Sequence, residues 1–163
     1  MEIIAFFENL RTPETSQGKY LYPIDTPNPE KISTENDLRS HYGPYVGAID
    51  FIVPVGTNVI AIDDGVVVDQ TDGNNQYGNH KKFANFANYI TIRHENGEYS
   101  QYLHLKNLKV QKGDQVVQGQ NIAQTGLNGF MDKPHLHFFV FKKSNNKHGF
   151  IGLKPNFLKP TTI

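Results

Sequence analysis

Pro134-His135-Leu136-His137-Phe138-Phe139-Val140-Phe141 is the stretch on which the fold of this chain turns. Its aromatic and β-branched content predicts a strand over His135–Phe141. Side chains alternate across a strand, so His135, His137, Phe139 and Phe141 take one face while Leu136, Phe138 and Val140 take the other. Two imidazoles then share a face with backbone positions roughly 6.5–7 Å apart. Such a pair can supply one metal ligand and one group beside a metal-bound water. A surface strand with two solvated histidines has the same spelling, so the tripeptide alone does not decide between them.

The sequence around it has the same texture. Short apolar runs at Val46–Val53, Asn58–Ile62, Gly65–Gln70 and Asn121–Thr125 are cut by Gly, Asp and Asn, as in antiparallel all-β domains. Tyr89–His94 and Tyr99–Leu105 flank Glu95-Asn96-Gly97-Glu98, whose Asn-Gly predicts a hairpin. Thr71–Asn85 and Lys142–His148 read as polar loops, and an extended tail with Pro155 and Pro160 follows. Residues 8–44 are rich in Pro, Asn, Thr, Ser and Gly, which predicts an irregular arm with one helical turn near Glu30–Leu38. The expected organisation is an N-terminal arm over 1–44 and a β domain over 45–163, one domain in all. No long amphipathic helix and no internal repeat appears.

Composition narrows the function. Sixteen basic residues balance sixteen acidic ones with no like-charge block, so neither nucleic acid nor a membrane surface is expected as a partner. No apolar run approaches the roughly 18 residues that cross a bilayer. Met1–Glu8 lacks a basic start and a full apolar core, so it does not read as a signal peptide; an exported protein would have lost its signal upstream. With no Cys, a metal must sit on His and carboxylates.

Two further residues point to such a site. Asp50 interrupts the apolar strand Ala48-Ile49-Asp50-Phe51-Ile52-Val53, where an unpartnered carboxylate is costly to bury. His104, in Tyr102-Leu103-His104-Leu105, is expected to share a strand face with Tyr102. An Asp and three His in strand contexts resemble an N/O-ligated metal centre more than independent accidents.

The chain resembles the lysostaphin/LytM-type zinc metallopeptidases, which cut peptide cross-bridges of bacterial peptidoglycan. The likeness runs from about Ser40 to Phe141, through Ala48-Ile49-Asp50-Phe51, Pro54-Val55-Gly56-Thr57, Gly65-Val66-Val67, Asn88–His94, Tyr102–Leu105, Val110–Gly119 and Gly126–Phe138. It implies an antiparallel sandwich or open barrel, a zinc cofactor held by Asp50 and His137, and His104 and His135 as the catalytic pair at the bound water. Which of the pair serves as base and which stabilises the oxyanion stays open. The family usually places its first His ligand four residues before the Asp, where this chain has Val46; the substitute favoured here is His41, nine residues before Asp50. It reaches the metal only if the chain bends, for which Gly43-Pro44 is suited. His80, His94 and His148 are the fallback ligands, each expected to face solvent. The resemblance further implies a peptidoglycan peptide substrate, a monomer, and a place in the cell envelope, periplasmic or secreted, if an upstream signal was removed. Tyr42, Tyr45 and Tyr77 lie in segments expected to border the site. Three rivals remain: a degenerate relative that binds or regulates, suggested by Val46; a carrier or phosphotransfer domain, suggested by the turn cadence of Val110–Gly119; and an all-β domain whose histidines are incidental.

Overall fold

Short β-branched runs bury their apolar faces only by pairing into sheets, and the computed structural model, which describes residues 12–159, is built almost wholly from paired strands. Met1–Glu8 and Pro160 lie outside the described residues. The strands in chain order are β1 (Glu14–Thr15), β2 (Thr34–Glu35), β3 (Ile49–Phe51), β4 (Asn58–Ile60), β5 (Gly65–Thr71), β6 (Tyr77–Gly78) and β7 (Tyr89–Arg93). They continue with β8 (Glu98–Leu103), β9 (Leu105–Lys106), β10 (Gln115–Val116), β11 (Asn121–Thr125), β12 (Gly129–Phe130), β13 (Leu136–Lys143) and β14 (Phe150–Lys154). Three short 3-10 segments, Pro29–Lys31, Gly43–Tyr45 and Lys81–Phe86, complete the regular structure.

The long strand β13 organises the main sheet. Along one edge it pairs with β8 from His137 to Lys142, and β7, β5 and β10 follow outward. Its other edge is divided: Leu136–Phe138 pair with β3, and Val140–Lys143 pair with β14. Nearly all the pairs are antiparallel; β1 beside β14 and β6 beside β12 are parallel. A smaller sheet of β4, β11 and β9 faces the large one. Between them lies the core, with Phe51, Ile90, Ile92, Tyr102, Leu136, Phe138 and Val140 from the large sheet against Val59, Leu105, Ile122 and Ala123 from the small one. Leu136, Phe138 and Val140 thus share the inward face expected of them. Phe139 and Phe141 take the outer face, where Tyr99 stacks on Phe141 at 5.1 Å between ring centroids and Tyr45 covers Phe139 at 5.5 Å.

Several local expectations are corrected. The run Val46–Val53 is a strand only over Ile49–Phe51, because the 3-10 turn at Gly43–Tyr45 and the positive φ of 104° at Gly47 break it. The arm supplies β1 and β2 to the main sheet and buries Tyr20 and Ile24 in the core. Glu98 fastens it, with one carboxylate oxygen accepting from Ser16 Oγ, the Gly18 N–H and the Tyr20 hydroxyl at 2.8–2.9 Å. The loop Thr71–Asn85 holds β6 and most of a 3-10 segment rather than running bare. Among the described residues no helix is long and apolar enough to cross a membrane.

Candidate metal centre

The register of the sheet sets the first two candidate ligands side by side. His137 on β13 lies directly opposite Asp50 on β3, on the face turned away from the core, and the row continues through Leu103 and Tyr89. Directly opposed residues have Cβ atoms only about 4.5–5.5 Å apart, so the two side chains converge without any further device. His41 arrives from outside the sheet. Gly43, with φ of 58°, starts the 3-10 turn that folds the chain back, and His41 swings over the Asp50–His137 pair. Val46 takes no part; its carbonyl packs against Gly152.

The three donor atoms form a nearly equilateral triangle. His41 Nε2 lies 3.2 Å from Asp50 Oδ1 and 3.2 Å from His137 Nδ1, and the third edge, His137 Nδ1 to Asp50 Oδ1, is 3.0 Å. A tetrahedral ion with bonds of about 2.0–2.1 Å has ligand–ligand edges of about 3.3–3.4 Å, so the triangle is one slightly contracted face of such a polyhedron. Hydrogen bonds cannot fill all its edges. His41 Nδ1 faces Asn36 Oδ1 at 3.0 Å and so carries that ring's proton, leaving Nε2 and Asp50 Oδ1 as two acceptors facing each other. A cation inside the triangle satisfies all three groups at once, and His41, Asp50 and His137 are the cluster among the described residues able to hold a metal in this way.

His104 and His135 stand beside the triangle, their rings 4.6 Å apart between centroids. Each has its tautomer fixed by a backbone carbonyl: His104 Nδ1 donates to Asn128 O at 2.6 Å, and His135 Nδ1 to Lys133 O at 2.8 Å. In the neutral form of each ring Nε2 is then the acceptor, that of His135 lying 3.6 Å from Asp50 Oδ1. His104 does not share a face with Tyr102. Its φ of 68° breaks the alternation between β8 and β9, so Tyr102 and Leu105 both enter the core while His104 turns to the open side. Left-handed non-glycine residues concentrate at functional sites because the strain must be held by the surroundings; here the Gly126 N–H donates to the His104 carbonyl at 2.6 Å.

Charge states suit metal binding. Burial would raise the Asp50 carboxyl, but the flanking histidines, the hydrogen bond from His137 foremost, outweigh it and hold the group far below the usual carboxylate range, hence ionised. Burial pushes His137 down, and it pushes His104 down to about 3, helped by repulsion from His135 and His137. Neutral imidazole and ionised carboxylate are the forms that ligate.

The centre lies in the floor of a cleft of about 320 Å³ whose walls include Tyr42, Tyr45, Phe130, Arg39 and Lys81. A second depression continues past His137 over Leu103, Tyr89 and Gln101. Tyr77 lines neither. Of the fallback histidines, His80 caps the Lys81–Phe86 segment and His148 is exposed, whereas His94 is buried, bonded to Asp64 O and Ser100 Oγ, away from the centre. Sequence reasoning missed Asn36, which orients His41, and Asn128, whose side chain bridges the Asn88 N–H and Leu105 O and so fixes the carbonyl that orients His104. No single-sequence signal separates these from the other Asn residues of turns.

Comparison with known proteins places the chain in a family. The chain is 36% identical over 123 residues to the peptidoglycan DD-endopeptidase ShyA of Vibrio cholerae, covering 72% of this chain and 26% of that protein. It is 36% identical over 99 residues to lysostaphin of Staphylococcus simulans, covering 60% of this chain and 17% of that one. The chain thus spans about a quarter or less of the length of these relatives. The catalytic domain of the antimicrobial peptidase lysostaphin from Staphylococcus simulans superposes with a TM-score of 0.52 at 25% identity over 91% of this chain and 92% of that one. A zinc containing peptidase from Vibrio cholerae does so at 0.50 and 30% identity, over 80% and 36%. The profile of peptidase family M23 matches residues 44–148, beginning three residues after His41 and taking in Asp50, His104, His135 and His137; the chain belongs to peptidase family M23.

Proposed function

We propose that this protein is a zinc-dependent endopeptidase that hydrolyses peptide cross-links of bacterial peptidoglycan, with His41, Asp50 and His137 holding the zinc and His104 and His135 serving the reaction. The observation that carries this reading is the triangle of donors with edges of 3.0–3.2 Å, beside two histidines whose Nδ1 atoms are both engaged by backbone carbonyls, which leaves Nε2 of each for the reaction. Zinc bound there would polarise the scissile carbonyl and lower the pKa of a coordinated water from about 15.7 to about 7. The chain's own residues do the rest. One Nε2 of the His104–His135 pair takes the proton of the attacking water and delivers it to the leaving amine. The other, carrying a second proton taken up from solvent before the attack and returned to it afterwards, donates a hydrogen bond from Nε2 to the carbonyl oxygen as charge develops on it. Asn36, Asn128 and Lys133 keep the imidazoles in the tautomers these steps need, and the cleft orients the peptide across the sheet.

The test is metal content together with turnover. About one zinc per chain after dialysis, loss of peptidoglycan digestion on chelation and its return with added zinc are expected. His41→Ala should remove zinc and activity together. A protein that stays metal-free when zinc is offered, or that digests peptidoglycan equally well without it, refutes the proposal.

A further inference from the structure

Three cations line the main cleft, and two of them are spent on neighbouring carboxylates. Arg39 grips Asp37 at 2.8 Å and reaches Asp132 at 3.6 Å, while Lys133 pairs with Glu35 at 2.6 Å. Lys81 is different. Its ammonium lies 5.8 Å from the centre of the Tyr42 ring and has no carboxylate partner among the described residues. An aromatic face at that distance steadies a cation without neutralising it, so Lys81 stands in the cleft as a positioned charge. The remaining carboxylate of the cleft wall, Asp50, belongs to the metal centre. The adjoining depression, which shares Tyr45, Leu103 and His137 with the cleft and extends over Thr71, Tyr89 and Gln101, has no Asp, Glu, Lys or Arg in its lining. The two parts of the groove are therefore chemically unlike: the main cleft carries a cation with no carboxylate partner among the described residues, and the depression is lined without formal charge.

We infer that Lys81 is a substrate-recognition residue that binds a free carboxylate on the peptide close to the cleaved amide, with the uncharged part of the peptide in the neutral depression. The inference rests on the endopeptidase reading for its substrate and adds which chemical group that substrate must carry. Arg39 and Lys133 hold Asp37 and Glu35 at close range, and Asp132 lies 3.6 Å from the same Arg39, so the repulsion these three carboxylates exert on an incoming carboxylate is reduced, and Lys81 is the cation left to attract it. A carboxylate lodged in the neutral depression would lose water without gaining a charged partner. The orientation follows from that difference.

The experiment uses two cross-linked peptides identical except that the carboxylate beside the scissile amide is a carboxamide in the second. The zinc-loaded wild type should favour the carboxylate peptide by about tenfold in kcat/KM, the low end for a hydrogen bond to a charged group, with the difference in KM. Lys81→Gln should bring the ratio close to one, Lys81→Arg should retain most of it, and Lys82→Gln, whose ammonium lies over Phe83 outside the cleft, should leave it where it was. A wild-type ratio near one, or a ratio that survives Lys81→Gln, overturns the inference. Binding of both peptides, followed by NMR, separates this from failure of the parent reading. A carboxylate preference that depends on Lys81 in a protein that cleaves neither peptide upholds the recognition role and refutes the endopeptidase. Cleavage of both at equal rates and with equal affinity does the reverse.

Discussion

Replacing Asn36 by Ala should weaken zinc binding without touching a ligand. Asn36 Oδ1 accepts from His41 Nδ1 at 3.0 Å and so keeps the Nε2 lone pair turned toward Asp50 and His137. Partners of this kind change metal affinity by about 10–100-fold when removed. Asn36 is an exposed residue and the bond is between neutral groups. Water can take its place in part, and the effect belongs at the low end, a Kd about tenfold higher, or about 1.4 kcal/mol. Asn36→Asp should act in the opposite sense, since a charged acceptor makes a bond about twice as strong and raises the basicity of the ring. The assay is competition for zinc against a chromophoric chelator at pH 7, with circular dichroism to verify the fold. In a His41→Ala background, Asn36→Ala should have no further effect. A Kd that stays within about twofold of wild type in both single variants, or an equal loss with and without His41, would refute the reasoning, because Asn36 would then not act through that ring.

His104→Ala should keep its zinc while turnover falls by about 10²–10⁴, as for loss of a positioned proton-transfer group; elemental analysis and peptidoglycan digestion on one preparation decide it. Phe138, wholly buried between the sheets, should cost about 3–5 kcal/mol when cut to Ala, read from urea unfolding. His94 makes stability depend on pH. Burial lowers its pKa in the folded protein below the ordinary value of about 6.5, so as pH falls below that value the unfolded chain takes up a proton that the folded chain refuses. Its contribution is complete above about pH 6.5 and declines as the pH drops toward the folded value. In metal-free protein, His94→Gln should therefore flatten the loss of stability between pH 7 and pH 5; an unchanged slope would show that the ring titrates alike in both states.

The sequence made the site legible wherever chemistry and strand alternation coincided. His135-Leu136-His137 and Asp50 stood out because a polar group in an apolar strand needs a reason, and a period of two assigns its face. His41 comes into view only because the family resemblance calls for a first histidine ligand that Val46 cannot supply, and Gly43-Pro44 offers the bend that lets it reach. What stayed hidden depends on contacts between distant segments. Nothing in Tyr102-Leu103-His104-Leu105 announces that His104 adopts φ of 68° and so changes faces. Asn36 and Asn128 look like turn residues until the rings they orient are in place. The arm's low hydrophobicity concealed Tyr20 and Ile24, which enter the core singly rather than in a periodic run. His94 ends a hairpin strand, where exposure is the usual outcome, yet Asp64 O and Ser100 Oγ enclose it.

The donors of the triangle differ in how freely their spacing can drift. Asp50 and His137 are locked across one rung of the sheet, so a one-residue slip of β3 against β13 would turn one of them inward, and insertions within either strand are barred. His41 sits on a loop that only has to arrive, and residues can be gained or lost between it and β3 as long as a turn returns the imidazole to the same spot. Lineages carrying this centre should therefore vary in the length of that connection while holding the strand pairing constant. A search pattern that fixes the distance between the first histidine and the aspartate will overlook members of this kind, whereas one anchored on the paired strands, with the first histidine left to float, will recover them.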